Sequence, residues 1–200
     1  MSHHGDLINV TDDEEGCTVE VMLRCSVADR PGALAVLTGV IGKAGGDIQA
    51  VEVVETTHSR ALDDLVVVVE SPATLGDLVE RIEELDDVDL VHTGPSRGDP
   101  SGAVERLALS FESLLNGAMT VDHAVSAILG GTLRAAAVKL VDAADAPSAN
   151  AKQLVLPLDD RVVVVTRDYR FTRTEEERGN SLVRAIAEGA RARHATAVAS

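Results

Sequence analysis

Val27-Ala28-Asp29-Arg30-Pro31-Gly32-Ala33-Leu34 is the stretch on which the reading of this chain turns. Upstream of it, apolar residues recur at every second position, Val19, Val21, Leu23, Cys25 and Val27, the period of two that marks a half-buried strand. Downstream, Leu34, Leu37 and Ile41 recur at helical spacing, with Val40 widening the stripe, up to a stop at Gly45-Gly46. Pro31 suits the first position of a helix, where a missing N–H costs nothing. The stretch is therefore a sharp strand-to-helix turn. It offers free backbone N–H groups at the positive end of a helix dipole, a ready place for a small anion such as a carboxylate. Gly32 permits close approach. Asp29 and Asp47 are expected at the same end of the sheet, where they could hold an ammonium group. An anion pocket beside a carboxylate matches the zwitterion of a free amino acid. The plain alternative is a strand-to-helix turn capped by Asp29, and spacing alone does not separate the two.

Working outward, a second strand is expected over about Ile48 to Glu55. Its apolar phase changes between Ile48/Ala50 and Val51/Val53, which allows a bulge. A polar loop from Thr56 to Arg60 leads to a third strand centred on Leu65 to Val69, whose unbroken apolar run suits a central position. Thr74 to Leu85 reads as an amphipathic helix with Leu75, Leu78, Val79, Ile82 and Leu85 inward, and Val88 to His92 as a fourth strand. The order β-α-β-β-α-β is the ferredoxin-like arrangement. Residues 1–16 read as a disordered acidic lead-in and 96–102 as a Gly/Pro/Ser linker. The Arg97-Gly98-Asp99 within it needs a secreted setting that nothing else in the sequence supports.

Residues 103–195 form a second α+β unit. Two helices are expected, from Val104 to about Asn116 and from a Thr120 cap onward. Strands follow at Leu133 to Val141, Gln153 to Leu158 and Arg161 to Thr166, the last two joined by Asp159-Asp160. Pro157 confines its strand to an edge or a bulge. Thr174 and Glu177 read as a capping box opening a final helix with Leu182, Val183, Ile186 and Ala190 inward. Arg167, Arg170, Arg173 and Arg178 read as a solvated basic turn.

Composition bounds the function. The 200 residues carry 18 Lys+Arg and 33 Asp+Glu, a formal charge of −15, with only 2% aromatics. Residues 1–95 hold 5 basic and 20 acidic side chains, whereas residues 96–200 hold 13 of each. The whole excess lies in the first unit, which argues against nucleic acid as its partner, since phosphate affinity comes from Lys and Arg. The plain role of such a surface is solubility. No apolar run is long enough for a membrane span. The polar, acidic start differs from a secretory signal, so a cytoplasmic location is expected. Cys17 and Cys25 share a parity on one strand without metal or redox spacing, and read as small core fillers. The six His residues are scattered, no catalytic Ser-His-Asp context is apparent, and no phosphate-binding Gly-rich signature occurs. No metal and no cofactor are expected.

Residues 17–95 resemble an ACT domain. The resemblance is carried by Val27 to Leu34 with Leu37 following, by Gly45-Gly46-Asp47-Ile48 opening the second strand, and by the element order. It implies a small amino-acid-sensing module of metabolic regulators, with protomers paired side by side through the second strand and first helix. The implied ligand contacts are Asp29, Arg30, Pro31, Gly32, Ala33 and Leu34 of one protomer with Asp47, Ile48 and Gln49 of the other. Asp47 stands where many members carry Asn, and its charge favours a ligand's ammonium. Residues 103–195 resemble a reduced GAF-like domain, through Arg161 to Thr166 and Phe171-Thr172 before an acidic helix start. The segment from Asp142 to Lys152, where larger members build their pocket, is an Ala-rich loop here, which implies no chromophore or cyclic nucleotide.

The expectation is thus a non-enzymatic, homodimeric, allosteric regulator that binds a free amino acid at the ACT interface. Two alternatives remain: an adaptor subunit that docks on a metabolic enzyme in trans without a ligand of its own, and a small enzyme using Asp29 and Asp47 as paired carboxylates.

Overall fold

The computed structural model describes residues 9–13, 16–96 and 102–198, with side chains from 18 to 96 and from 102 to 195. The lead-in histidines and the Arg97-Gly98-Asp99 stretch lie outside the described residues. The chain forms two compact units, one on each side of that stretch.

In the first unit, β1 (Asn9–Asp13), β2 (Gly16–Ala28), α1 (Ala33–Lys43), β3 (Asp47–Thr56), β4 (Arg60–Val69), α2 (Pro72–Glu83) and β5 (Val88–Pro95) follow in order. β2 is flanked by β4 on one side and β5 on the other, and β3 lies outside β4, all antiparallel to their neighbours. The expected alternation holds: Val19, Val21, Leu23, Cys25 and Val27 are all buried. They join Leu65, Val67 and Val69 of β4, Leu37 and Ile41 of α1, and Leu78 and Ile82 of α2 in one aliphatic core. β4 is central, as its apolar run predicts, and Val66 is buried on the opposite face from Leu65 and Val67. The phase change in β3 is real, with register irregularities at Ile48/Ala50 and Val53/Glu55.

Several boundaries differ from expectation for identifiable reasons. Residues 9–13, expected in a disordered lead-in, form β1, which pairs with residues 16–20 of β2. The edge of β2 that β5 covers only from Val21 onward is otherwise open there, and an unpaired edge recruits a strand. α2 starts at Pro72 rather than Thr74, because Ser71 is its cap: the Ser71 hydroxyl accepts a hydrogen bond from the Thr74 amide at 3.1 Å. On α1 the buried stripe is Ala33, Leu37 and Ile41, whereas Leu34 faces outward. Gly46 is needed where that helix hands over to β3, since a Cβ there would sit 2.7 Å from Ile41 Cγ2 and 2.9 Å from Val67 Cγ1.

The second unit comprises α3 (Ala103–Leu115), α4 (Val121–Thr132), β6 (Ala137–Asp142), a short 3-10 turn (Ala143–Asp145), β7 (Gln153–Leu158), β8 (Arg161–Thr166) and α5 (Arg173–Val198). The sheet is antiparallel in the order β6-β8-β7, so Pro157 lies on an edge strand as required. Thr120 caps α4, its hydroxyl accepting from the His123 amide at 3.3 Å. β6 begins at Ala137 rather than Leu133, because Leu133 ends α4 and Arg134 turns with φ 49°. On α3 only Leu114 of the expected apolar face is fully buried, while Val104 and Leu115 are exposed.

The capping box of α5 lies two residues earlier than expected. The Thr172 hydroxyl accepts from the Glu175 amide at 3.1 Å, and Glu175 Oε2 accepts from the Thr172 amide at 2.8 Å. Glu175 reaches back because it also pairs with Arg167. Arg167 is accordingly buried, not part of a solvated turn. Its guanidinium donates to both Glu175 oxygens at 2.6 and 2.8 Å and to the Leu133 and Arg170 carbonyls. It also lies over the Tyr169 and Phe171 rings.

Candidate functional site

The turn that begins α1 sets the geometry. The Ala33 amide donates to the Arg30 carbonyl at 3.2 Å, and Gly32 has φ 90° and ψ −14°. That is a type II turn with Pro31 and Gly32 at its two central positions, so the left-handed residue must be glycine or pay in strain. The helix therefore starts at Ala33, two residues later than Pro31 would place it. Gly32 is the N-cap and supplies no side-chain bond, so Asp29 is not the cap. The amides of Leu34 and Ala35 fall in the first turn, where an α-helix has no internal acceptor for them.

Around this turn, the end of the sheet is strapped together. The Asp29 amide donates to the Ser59 carbonyl at 2.9 Å and the Ala28 amide to the Asp87 carbonyl at 3.0 Å. Arg30 pairs with Asp87. Arg60 Nε donates to Ser26 Oγ at 2.8 Å and its Nη2 to Asp89 at 2.6 Å, bridging β4, β2 and β5.

The strand register separates the expected site residues. Ala28 lies opposite Arg60, whereas Asp47 lies opposite Val68, eight residues further along β4. At about 3.3 Å per residue, that is roughly 26 Å. Asp29 and Asp47 thus occupy opposite ends of the sheet, contrary to expectation. The reason is topological: a strand-helix-strand crossover returns the second strand parallel to the first, so β3 begins where β2 begins. One chain brings Asp29, Arg30, Pro31, Gly32, Ala33 and Leu34 together, and holds Asp47, Ile48 and Gln49 apart from them. Gln49 Nε2 donates to Asp47 Oδ2 at 2.6 Å. A catalytic carboxylate pair built from Asp29 and Asp47 is ruled out within one chain.

Two further carboxylates went unread in the sequence. Asp63 and Asp64 are both 2% exposed. Being adjacent in β4, they face opposite sides. Asp64 accepts both Arg24 donors, at 2.6 and 2.8 Å, in a buried bidentate pair. Asp63 lies opposite Cys25 on the helix-covered face, and its Oδ1 has no hydrogen-bond partner. Burial, then the charges of Asp64 and Asp29, push its carboxyl up from the ordinary aspartate range. The same surroundings push the Cys25 thiol up to about 12, the mark of an inert core filler. The signal was present: side chains alternate along a strand, so one of two adjacent acids in the run from Leu62 to Val69 must face the core.

One Gly-x-Ser-x-Gly spelling, Gly94 to Gly98, also escaped the sequence reading. A nucleophile of that type needs an exposed hydroxyl on a strand-to-helix turn. Ser96 instead directly follows β5 and is 5% exposed. Among the described residues, no group of three or more His, Cys, Asp or Glu side chains could hold a metal, and no helix is long and apolar enough to cross a membrane.

Comparison with known proteins agrees with this geometry for the first unit. The family model of the ACT domain matches residues 21–87. No curated protein matches the chain significantly. Among solved structures, the chain is similar to an unknown protein from Galdieria sulphuraria, with 10% identity, 86% of this chain and 92% of that one covered, and a TM-score of 0.34. It is also similar to the ligand-free regulatory subunit of aspartate kinase from Thermus thermophilus, with 11% identity, coverages of 85% and 92%, and a TM-score of 0.30. The regulatory subunit of aspartate kinase from Thermus flavus has 10% identity, the same coverages and a TM-score of 0.33. Superpositions that loose add nothing to the assignment, which rests on the family match and the topology.

Proposed function

Residues 21–87 are an ACT domain, and from that premise we propose that the chain is a non-enzymatic regulatory protein that binds a free amino acid between two copies of this domain. The register of β3 carries the reading. β3 is an edge strand, and it starts at the far end of the sheet from the α1 turn. A two-fold pairing of β3 with β3 of a second copy runs the two strands antiparallel. Asp47, Ile48 and Gln49 of the second copy then come to the end where Asp29 to Leu34 lie. Such a dimer would reunite the nine residues that one chain separates.

The surface supports that pairing. Val51 and Val53 on β3, with Leu34 and Val36 on α1, are exposed apolar side chains on an otherwise acidic unit. In the pairing, the amides of the first α1 turn would receive the ligand's carboxylate. Binding would act on the assembly through its differential affinity for the paired and unpaired states. The second unit, with its helix pair, three-stranded antiparallel sheet and long final helix, is read as a reduced GAF-like scaffold that transmits the signal.

Isothermal titration of the full chain with each of the twenty amino acids tests the reading. Saturable heat with one or a few of them, at one ligand per interface half, is expected. No heat with any, together with a stoichiometric enzyme recovered when the chain is purified from its native cell, would replace it with the adaptor reading.

A further inference from the structure

We propose that Asp63 is the group that receives the ligand's ammonium, so that the site's cationic end is set by β4 and not by the turn alone. The inference rests on the amino-acid reading above and adds a residue to it. A carboxylate that is 2% exposed, with one oxygen lacking any partner, is an unusual thing to leave in an aliphatic core. Buried polar groups are nearly always bonded, because an unpaired one loses its hydration and gains nothing. Asp64, next along the chain, shows the ordinary solution, a bidentate arginine. Asp63 has no such cation among the described residues.

Its placement gives it a reason. Asp63 is level with Cys25 on β2 and with Val53 on β3. Cys25 is fully buried, but Val53 is 55% exposed. The carboxyl therefore lies one strand in from the open edge, on the face that α1 covers. Asp29 follows the end of β2, and its charge is felt at Asp63. A ligand lying over Val53, with its carboxylate at the amides of Leu34 and Ala35, would direct its ammonium toward Asp63. A second copy paired on β3 would close the site from the outside and exclude water, which strengthens the ion pair. A primary ammonium supplies both the missing donor and the missing charge.

The test uses the full chain, the twenty amino acids and their N-acetylated forms, followed by calorimetry. The wild type is expected to bind at least one amino acid and not its N-acetylated form. Asp63→Asn, and Asp63→Leu as a near-isosteric apolar control, are expected to bind that amino acid about tenfold more weakly or worse, the loss of one charge-assisted bond. Both variants should keep the wild type's mass in solution. Unchanged affinity in both variants, or binding of the N-acetylated ligand as tight as that of the free one, overturns the role of Asp63 and leaves the interface reading standing. Absence of binding by the wild type overturns both.

Discussion

A buried acid with one unbonded oxygen makes its own contribution to this protein's acid response. For Asp63 the folded state raises the carboxyl above its ordinary range, first by burial and then through Asp64 and Asp29. A raised carboxyl contributes stability that is fully present below the unfolded value near 3.8 and is lost as pH rises through the folded value. Ligand-free wild type should therefore carry a penalty at neutral pH that Asp63→Asn lacks. We expect the variant to be more stable at pH 7, because the carboxamide leaves no charge in the buried position. The advantage should shrink as pH falls toward 4. Urea denaturation of both proteins at several pH values measures it, and a variant less stable at pH 7 would mean that the Asp63 carboxylate is already compensated in the free protein. Asp64 is the opposite case in the neighbouring position, a charge whose partner Arg24 is supplied by the next strand.

At the scale of elements, two devices govern where helices begin. The α1 turn depends on the left-handed Gly32, around which a Cβ would meet nothing within 4 Å. Gly32→Ala should thus cost only its backbone strain, about 1 kcal/mol, seen as a lower urea midpoint with an unchanged slope. α5 depends on Glu175, which serves Thr172 and Arg167 at once. Arg167→Met should cost about 3–5 kcal/mol by leaving that carboxylate buried without its arginine, and Arg167→Met with Glu175→Leu should recover much of it. The same denaturation curves decide this, and a single variant no worse than the double would sink it. These devices also mark how far the sequence could be read. Strand alternation in β2, the central run of β4 and the Thr120 cap were legible because each is a local period or a local bond. The order of elements was legible for the same reason. The start of α2 at Ser71-Pro72 and the box at Thr172 were available locally but overshadowed by the apolar stripes. Three features were not local at all. The burial of Arg167 depends on Glu175 and Leu133, β1 depends on a vacant edge of β2, and the opposite placement of Asp29 and Asp47 follows only from tracing the crossover to its end.

For the whole molecule, the uneven charge and the proposed pairing make opposing demands. The first 95 residues carry 20 acids against 5 bases, so two copies of that unit repel each other. What would hold them is apolar side chains exposed on β3 and α1, Val51 and Val53 foremost, with the open backbone edge of β3. Apolar contact is insensitive to screening, whereas the repulsion between exposed charges falls off within about 10 Å at 0.1 M salt. The dimer should therefore tighten as salt is added, the reverse of an interface held by ion pairs. Light scattering coupled to size exclusion should give twice the chain mass of 21.0 kDa for the wild type, with dissociation on dilution most evident at low salt. Val36→Glu combined with Val51→Glu should give the single-chain mass at all salt concentrations. It should fold normally, because the two positions are 52% and 44% exposed in the single chain. It should also lose amino-acid binding, because Asp47 to Gln49 of the second copy no longer reach the α1 turn. A double variant that stays dimeric, or a monomer that binds as tightly as the wild type, would place the interface or the site elsewhere on the molecule.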